Sequence, residues 1–531
     1  MADAALSAHD HWVARREAHN RLCAAGGEDR LSALPDDVLH LVIRRLDTRA
    51  ALATAALSKR WARLPRELPV LEFRVGDVLP ESYHAHIRRR LDALHRGKRT
   101  SLVRKLDEFI GRYERQAMRS LASSVSSFLD ADISRRAQTL ILELFPTHNS
   151  GPFSRLIAKA IGDWGIQDLE ILVVKPTPCN SIVPYRFPHQ FLEESKSFGS
   201  LKRLRLINCV PLAARDGSSH LRAPPAFSSL AVLVLEGLPK SSRLYQRVIR
   251  ACPMLEVLHL KSCLFRGKVS IDAPNSRITE LVIDACRFNV VTLGSLPKLQ
   301  RLAWSGAPVE FIIDSLPRLS HFNLSFYDDP NVGPGPWYAA FLGPRNECSR
   351  LNFSSRFSNL DTFVVRFTGP EMWIVPDLRM PLGSLRRLVL VDMPRSWDMA
   401  WTCRLLEAAP HPDTLNVHVA DHNSWETTFG PAIPEPPSCF KHHVLREVVI
   451  LGFQGTGTQV HFVRFLTNAC KALKNVALFK HGHIQNEGLW KWEVVASTVE
   501  CRWSDKERDV LLSELINDGN TASSTAQIVL R

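Results

Sequence analysis

Leu201-Lys-Arg-Leu-Arg-Leu206, Leu230-Ala-Val-Leu-Val-Leu235, Leu255-Glu-Val-Leu-His-Leu260 and Ile278-Thr-Glu-Leu-Val-Ile283 repeat one pattern, L-x-x-L-x-L. Weaker copies start at Leu299 and Leu319, and the successive starts lie 29, 25, 23, 21 and 20 residues apart. Alternation within each copy is that of a short strand. A spacing of this size is that of a stacked repeat. One such unit offers a strand and a return segment, cannot bury its apolar face alone, and has to lean on its neighbours. Further copies start at Leu169, Leu360, Leu385, Leu445 and Leu473, so the array takes up most of the chain.

Pattern and spacing resemble a leucine-rich repeat of irregular length. Three units run on to a cysteine, at Cys209, Cys263 and Cys286. A small buried thiol there can bond the turning backbone, so period and not ligand spacing explains these positions, and no metal is expected. Strand alternation also says where a partner would bind. With Leu204 and Leu206 turned inward, Arg203 and Arg205 point out. The equivalent outward pairs are Val232/Val234, Val257/His259 and Glu280/Val282, followed by Arg301/Ala303 and His321/Asn323. Stacking aligns them on one concave face. A solvated face has no use for valines, so this strip is the candidate target surface. The alternative is that other segments of the chain cover it.

The chain has 531 residues, too many for one ordinary core. At 45% hydrophobic and 23% charged residues it is globular. It has no apolar run of membrane-spanning length. The N-terminus carries Asp3, His9 and Asp10 and lacks the apolar stretch of a signal peptide. The eleven cysteines are therefore expected as reduced thiols. The formal charge is +13, and a segment from His84 to Arg119, with eleven basic residues against four acids, supplies +7 of it. A run of this kind is read as a solvated helix face, with a phosphate-binding surface as the rival reading.

Upstream lies Leu34-Pro-Asp-Asp-Val-Leu39, then Ile43 and Leu46, then Leu57-Ser-Lys-Arg-Trp61. Pro35 suits a helix start. Asp36 and Asp37 suit its first turn. A second helix is expected over 49–57 with Thr48 as its cap, and a third from Ser58 that Pro65 stops. Three short helices hold too little core to stand alone, so part of their apolar surface needs a partner. Order and spacing over 30–73, with Leu71 and Phe73 as an apolar tail, resemble a plant F-box domain. Pro65 departs from it, standing where many relatives have a second tryptophan. The resemblance implies that Leu34, Pro35, Leu39, Ile43, Leu57 and Trp61 help form a surface facing a Skp-type adaptor and, through it, a cullin.

Residues 76–135 read as mostly helical and join this unit to the array. Asp329-Pro-Asn-Val-Gly-Pro-Gly-Pro-Trp337 and the prolines from Pro431 to Pro437 break the repeat register. Beyond them, Leu445 to Phe453, Val463 to Ala469 and Leu473 to Leu478 read as strand, helix, strand. This resembles the FBD module of plant F-box proteins. Ser504-Asp-Lys-Glu507 reads as a capping box for a final helix. His442, His443, His481 and His483 read as loop histidines. No phosphate loop, dinucleotide fingerprint, zinc-protease or hydrolase motif occurs, so no catalytic residue, metal or cofactor is expected.

The expectation is an α/β chain: a tail at 1–29, a three-helix F-box at 30–75, a basic helical linker at 76–135, a leucine-rich-repeat solenoid with parallel strands at 136–430, an FBD-like module at 435–500, and a last helix and tail at 501–531. The resemblance implies a non-catalytic substrate receptor of a Skp–cullin–F-box ubiquitin ligase, holding a protein target on the solenoid, away from membranes, in cytoplasm or nucleus. The rivals are a repeat scaffold without a ligase role and a basic nucleic-acid-associated protein.

Overall fold

The computed structural model describes residues 34–54, 56–58, 60–61, 64, 68–96, 101–130, 137–146, 151–174, 185–188, 201–211, 227–238, 242–263, 267–288, 290–306, 309–326, 351–353, 359–367, 382–393, 399–420, 440–487, 490–496, 503–516 and 526–531. The expected tail at 1–29 and the register breaks at 329–337 and 431–437 lie outside them.

The helices among the described residues are α1 (Asp36–Ile43), α2 (Thr48–Thr54), α3 (Glu81–His95), α4 (Ser101–Asp130), α5 (Gly151–Gly162), α6 (Ser242–Ala251), α7 (Met399–Ala408), α8 (Gly457–Ala469) and α9 (Asp505–Ile516). The strands are β1 (Val70–Arg74), β2 (Thr139–Leu144), β3 (Asp168–Val173), β4 (Tyr185–Arg186), β5 (Arg203–Ile207), β6 (Cys209–Val210), β7 (Val232–Glu236), β8 (Val257–Lys261), β9 (Lys268–Ile271), β10 (Glu280–Asp284), β11 (Val290–Ser295) and β12 (Arg301–Gly306). They continue with β13 (Glu310–Ser315), β14 (His321–Phe326), β15 (Leu351–Phe353), β16 (Thr362–Phe367), β17 (Arg387–Met393), β18 (Thr414–Val419), β19 (Glu447–Leu451), β20 (Asn475–Phe479), β21 (Gly482–Glu487), β22 (Lys491–Ala496) and β23 (Gln527–Leu530).

Among the described residues, one sheet of 15 parallel strands runs from β1 to β23, one strand per repeat. Every strand predicted from the leucine pattern is in it. Leu204, Leu206, Leu233, Leu235, Leu258 and Leu260 all point to its back face and are buried. Helices pack on that face near both ends. In the middle a second parallel sheet, β9, β11, β13 and β15, takes their place. The leucine pattern marks no strands there. Aromatic rings from Tyr245 through Phe288, Trp304, Phe311 and Phe322 to Phe363 succeed one another at 5.3–6.3 Å along the core.

The turn after the strand repeats as well. Asn208, Gly237, Ser262 and Ala285 each follow a strand with φ between 48° and 66°. Asn208, Gly237 and Ser262 each donate the backbone N–H to the last residue of the next strand, and Ala285 donates to Ser305, the last but one of its neighbour, so the ladder continues round the corner. Asn208 Nδ2 also donates to Val173 O, 2.9 Å away. The thiols of Cys263 and Cys286 bond Leu235 O and Leu260 O of the preceding repeat. Small thiols therefore stitch consecutive turns, as the repeat reading required. Burial pushes the Cys286 thiol well above its ordinary value.

The N-terminal helices share this core rather than forming a separate one. Helix α2 starts one residue before the prediction and ends three earlier. Its cap is Asp47, whose Oδ1 accepts from Ala50 N at 2.6 Å, and not Thr48. Thr48 is buried instead, and its Oγ1 accepts from Glu72 N at 2.8 Å, tying the helix to β1. The expected F-box tail at Leu71 and Phe73 is this first strand. Of the third helix expected from Ser58, the described residues show a turn at Arg60 and Trp61, with Ser58 Oγ accepting from Trp61 N, and a 3₁₀ conformation at Leu64.

Helix α4 lies against β1 and α5, where Phe128 meets Phe73 and Trp164. Part of the basic run is turned inward here. Arg90 is buried against Asp107, and Arg88 pairs with Glu81 at the surface.

At the far end, β19, α8 and β20 form the expected strand, helix and strand. The terminal edge is not theirs, because β23 pairs with β20 and takes the outermost place. Helix α9 has the expected capping box, with Ser504 N donating to Glu507 Oε2 at 2.9 Å and Glu507 N to Ser504 Oγ at 3.3 Å. His442, outside the named strands as expected of a loop histidine, is buried and bridges to Cys470. Its Nε2 donates to Ala409 O at 3.0 Å, and its Nδ1 accepts from Leu445 N at 3.1 Å. No described helix is long and apolar enough to cross a membrane.

Candidate functional site

Two surfaces carry the expected site residues, one on the N-terminal helices and one on the front of the sheet. Helix α1 is apolar on opposite sides. Leu39 and Ile43, four residues apart, enter the chain's own core with Trp61, which is 4% exposed. Val38, Leu41 and Val42 face away, and Leu46 and Leu57 lie exposed nearby, Leu41 at 62% and Leu57 at 53%. Arg60 closes the unit by pairing with Asp36 at 2.7 Å and donating to Leu34 O at 2.6 Å. Asp37, His40, Leu41 and Arg44 line a shallow depression on the outer side.

Of the six residues expected at an adaptor surface, Pro35 and Leu57 are exposed and Leu34 is half-buried. Leu39, Ile43 and Trp61 support that surface from beneath. The exposed Val38, Leu41, Val42 and Leu46 were not singled out as site residues. The signal available was the helical period itself, which puts 41 opposite 39 and 43, with 38 and 42 on its flanks.

The front face of the sheet is a register of outward residues. Arg205, Val234, His259, Val282, Ala303, Asn323, Val364, Val389 and Asn416 lie directly across one strand pair after another. Its N-terminal part is open. Arg203 and Arg205 are exposed, and Val232, Val234, Val257 and His259 are half-buried. Arg205 bridges Glu170 at 3.2 Å and Glu236 at 3.3 Å.

The rest of the strip departs from expectation. Glu280 is buried and Val282 is 1% exposed, so neither is a free surface residue. The chain itself covers this half. Strands β21 and β22 form an antiparallel hairpin over the front face. Trp492 and Ile484 pack on Val364, Val389 and Val391, and Arg387 Nη2 donates to Trp492 O. Trp490, beside the turn, has Arg301 over its ring at 5.6 Å and hydrogen-bonds the Glu280 side chain.

Glu280 also receives His259 Nε2 at 2.7 Å and Arg301 Nη2 at 2.9 Å. Burial alone would raise its carboxyl. These partners outweigh burial and hold it below the ordinary carboxylate value. Asp392, with φ 57°, is held low in the same way by His418 at 3.0 Å and Arg366 at 2.5 Å, against the upward push of burial. Among the described residues no cluster of His, Cys, Asp and Glu is arranged to hold a metal ion.

Comparison with known proteins bears on both surfaces. The family model of the F-box domain matches residues 31–73. The model described as FBD-associated F-box protein At5g56370, LRR repeats, matches residues 157–323. Along the chain, the putative F-box/LRR-repeat protein At5g54820 of Arabidopsis thaliana is 21% identical over 92% of this chain and 98% of its own length. The F-box protein At3g62230 of the same plant is 22% identical over 85% and 91%. The putative FBD-associated F-box protein At5g22720, also of Arabidopsis thaliana, is 24% identical over 68% and 74%. The chain therefore carries an F-box followed by leucine-rich repeats of the FBD-associated type, and is similar over most of its length to plant F-box proteins.

Proposed function

We propose that the chain is the substrate-recognition subunit of a Skp–cullin–F-box ubiquitin ligase. The observation that carries this reading is the double-sided apolarity of α1. A helix that spends Leu39 and Ile43 on its own core and still presents Val38, Leu41 and Val42 to solvent is built to be covered on its second side. Pro35, Leu41 and Leu57 are the contacts proposed for the Skp-type adaptor, with Leu34 at the margin and Trp61 setting the platform beneath. The cullin is reached through the adaptor.

The protein target is held by the open part of the front face, at Arg203, Arg205, Val232, Val234 and Val257, with His259 at its border. The receptor contributes no bond-making residue. It raises the local concentration of target near the conjugating enzyme, in cytoplasm or nucleus. The division into F-box, helical linker, solenoid and FBD-like module belongs to the same reading.

Proximity labelling tests it. The intact chain is compared with Leu41→Asp/Leu57→Asp, and that variant with the same variant carrying Arg205→Glu. Proteins that accumulate beside the double variant and vanish when Arg205→Glu is added are the expected result. If no protein depends on both surfaces, the receptor reading fails and a scaffold without a ligase role takes its place.

A further inference from the structure

Residues 482–487 and 491–496 form a ribbon of two strands, paired from Gly482↔Ala496 to Glu487↔Lys491. A two-stranded hairpin is marginal on its own in water, so this one owes its order to what it rests on. It does not rest on the main core. Trp492 belongs to a small separate cluster with Val364, Val389 and Val391. The remaining contacts are the kind that anchor interfaces, a tryptophan under a guanidinium and charged side chains bonded to backbone and indole. His259, which bonds Glu280 beneath the tip, pairs across the strands with Val234 of the open strip. The covered and open halves of the front face are therefore continuous.

We propose that the front face between β8 and β18 is a peptide-binding site whose resident ligand is the chain's own hairpin, and that the segments it accepts in the hairpin's place present a tryptophan to Glu280 and Arg301. The resident displays the required chemistry. An indole N–H meets a buried carboxylate, a guanidinium covers the ring face, and a second indole fills the valine bed two residues on. A target that begins on Arg205 and Val234 and runs toward β10 meets the hairpin tip first and competes with it there. That such a segment belongs to a target for ubiquitination rests on the receptor reading. The site stands or falls on different residues from the adaptor surface.

The test uses the full chain with 481–497 replaced by a short Gly-Ser linker, beside the intact chain. The probe is a fluorescein-labelled synthetic peptide of residues 482–496, followed by fluorescence polarisation. Saturable binding to the linker chain, at least tenfold weaker binding to the intact chain, and at least tenfold loss on Trp490→Ala in the peptide or Glu280→Gln in the chain are expected. A Leu replacement of both tryptophans in the peptide abolishes competition. Equal binding to both chains, or indifference to Trp490 and Glu280, overturns the proposal.

If the linker chain does not fold, hydrogen exchange on the intact chain decides. In Trp490→Ala the hairpin amides exchange at least tenfold faster while β10 to β18 keep their protection. Hairpin and sheet opening together would show the ribbon to be fixed structure and not a ligand.

Discussion

Replacing Gly237 by alanine tests how the repeats turn their corners. Gly237 sits at φ +66°, immediately after β7, and donates its N–H to Lys261 O at 2.9 Å. A side chain in that conformation costs about 1–2 kcal/mol. The chain tolerates this at Ser262 and Ala285, at φ 48° and 50°, so strain alone does not break the turn. The neighbour adds to it. A Cβ on residue 237 would lie 2.2 Å from Asn208 Oδ1, and the amide has to leave. Leaving breaks the 2.9 Å bond from Asn208 Nδ2 to Val173 O, worth about 1 kcal/mol.

Gly237→Ala should therefore destabilise by about 2–3 kcal/mol, the sum of strain and lost bond. Asn208→Ser, which keeps a residue type the same turn accepts at Ser262, should cost about 1 kcal/mol in the parent chain. In the Gly237→Ala background that cost should fall to about zero, because the bond is already gone. Urea unfolding followed by circular dichroism of the four chains measures the cycle. Additive effects, or a cost for Gly237→Ala below about 1 kcal/mol, would refute the shared-turn reasoning.

Other outcomes follow from buried partners. His442 fits only as the neutral ring, since Nε2 donates and Nδ1 accepts, and burial lowers its pKa despite the opposing Ala409 carbonyl. Its contribution to stability is thus full above the unfolded value near 6.5 and is lost as pH falls through the lower folded value. Urea midpoints should drop from pH 7.5 to 5.5, with a shallower drop in His442→Gln, and an unchanged slope in that variant would contradict it. Thr48→Val should loosen the N-terminal helices from β1 by about 1–2 kcal/mol, read as faster amide exchange at Glu72, because a buried donor loses its acceptor. Cys252 and Cys470, their thiols pushed up to about 12 by burial, should resist thiol reagents in the native chain and react on unfolding.

What the sequence could convey was what neighbours in sequence decide. Each L-x-x-L-x-L copy carries its own alternation, so every strand from β3 onward that matches it was identified, and the buried thiols at Cys263 and Cys286 followed from the same period. Strand β18 and the second sheet were missed for the same reason. Val291 and Leu293, or Leu415 and Val417, alternate over too few residues to stand out from return segments. The helical period of α1 was legible, but which side would be core was not. That choice is made by β1, reached through Thr48 and Glu72, 24 residues apart.

The largest departure is the cover on the front face. Cover by other segments of the chain, the alternative to a target surface, holds at Glu280 and Val282, while Val232, Val234 and Val257 stay partly open. Over half of that strip the contact is Trp492 and Trp490, meeting Val364 and Glu280 across more than a hundred intervening residues. No local pattern records such a pairing.

The most direct measurement is a calorimetric titration of a purified Skp-type adaptor into the intact chain and into Leu41→Asp/Leu57→Asp. Thermal unfolding alongside confirms that both are folded. The account predicts saturable one-to-one binding to the intact chain, weakened at least about a hundredfold by the double substitution, since two exposed anchors of a small interface are lost. It also predicts no change for Arg205→Glu, which lies on the other surface. Absence of binding to the folded intact chain, or equal affinity for the substituted one, would contradict it.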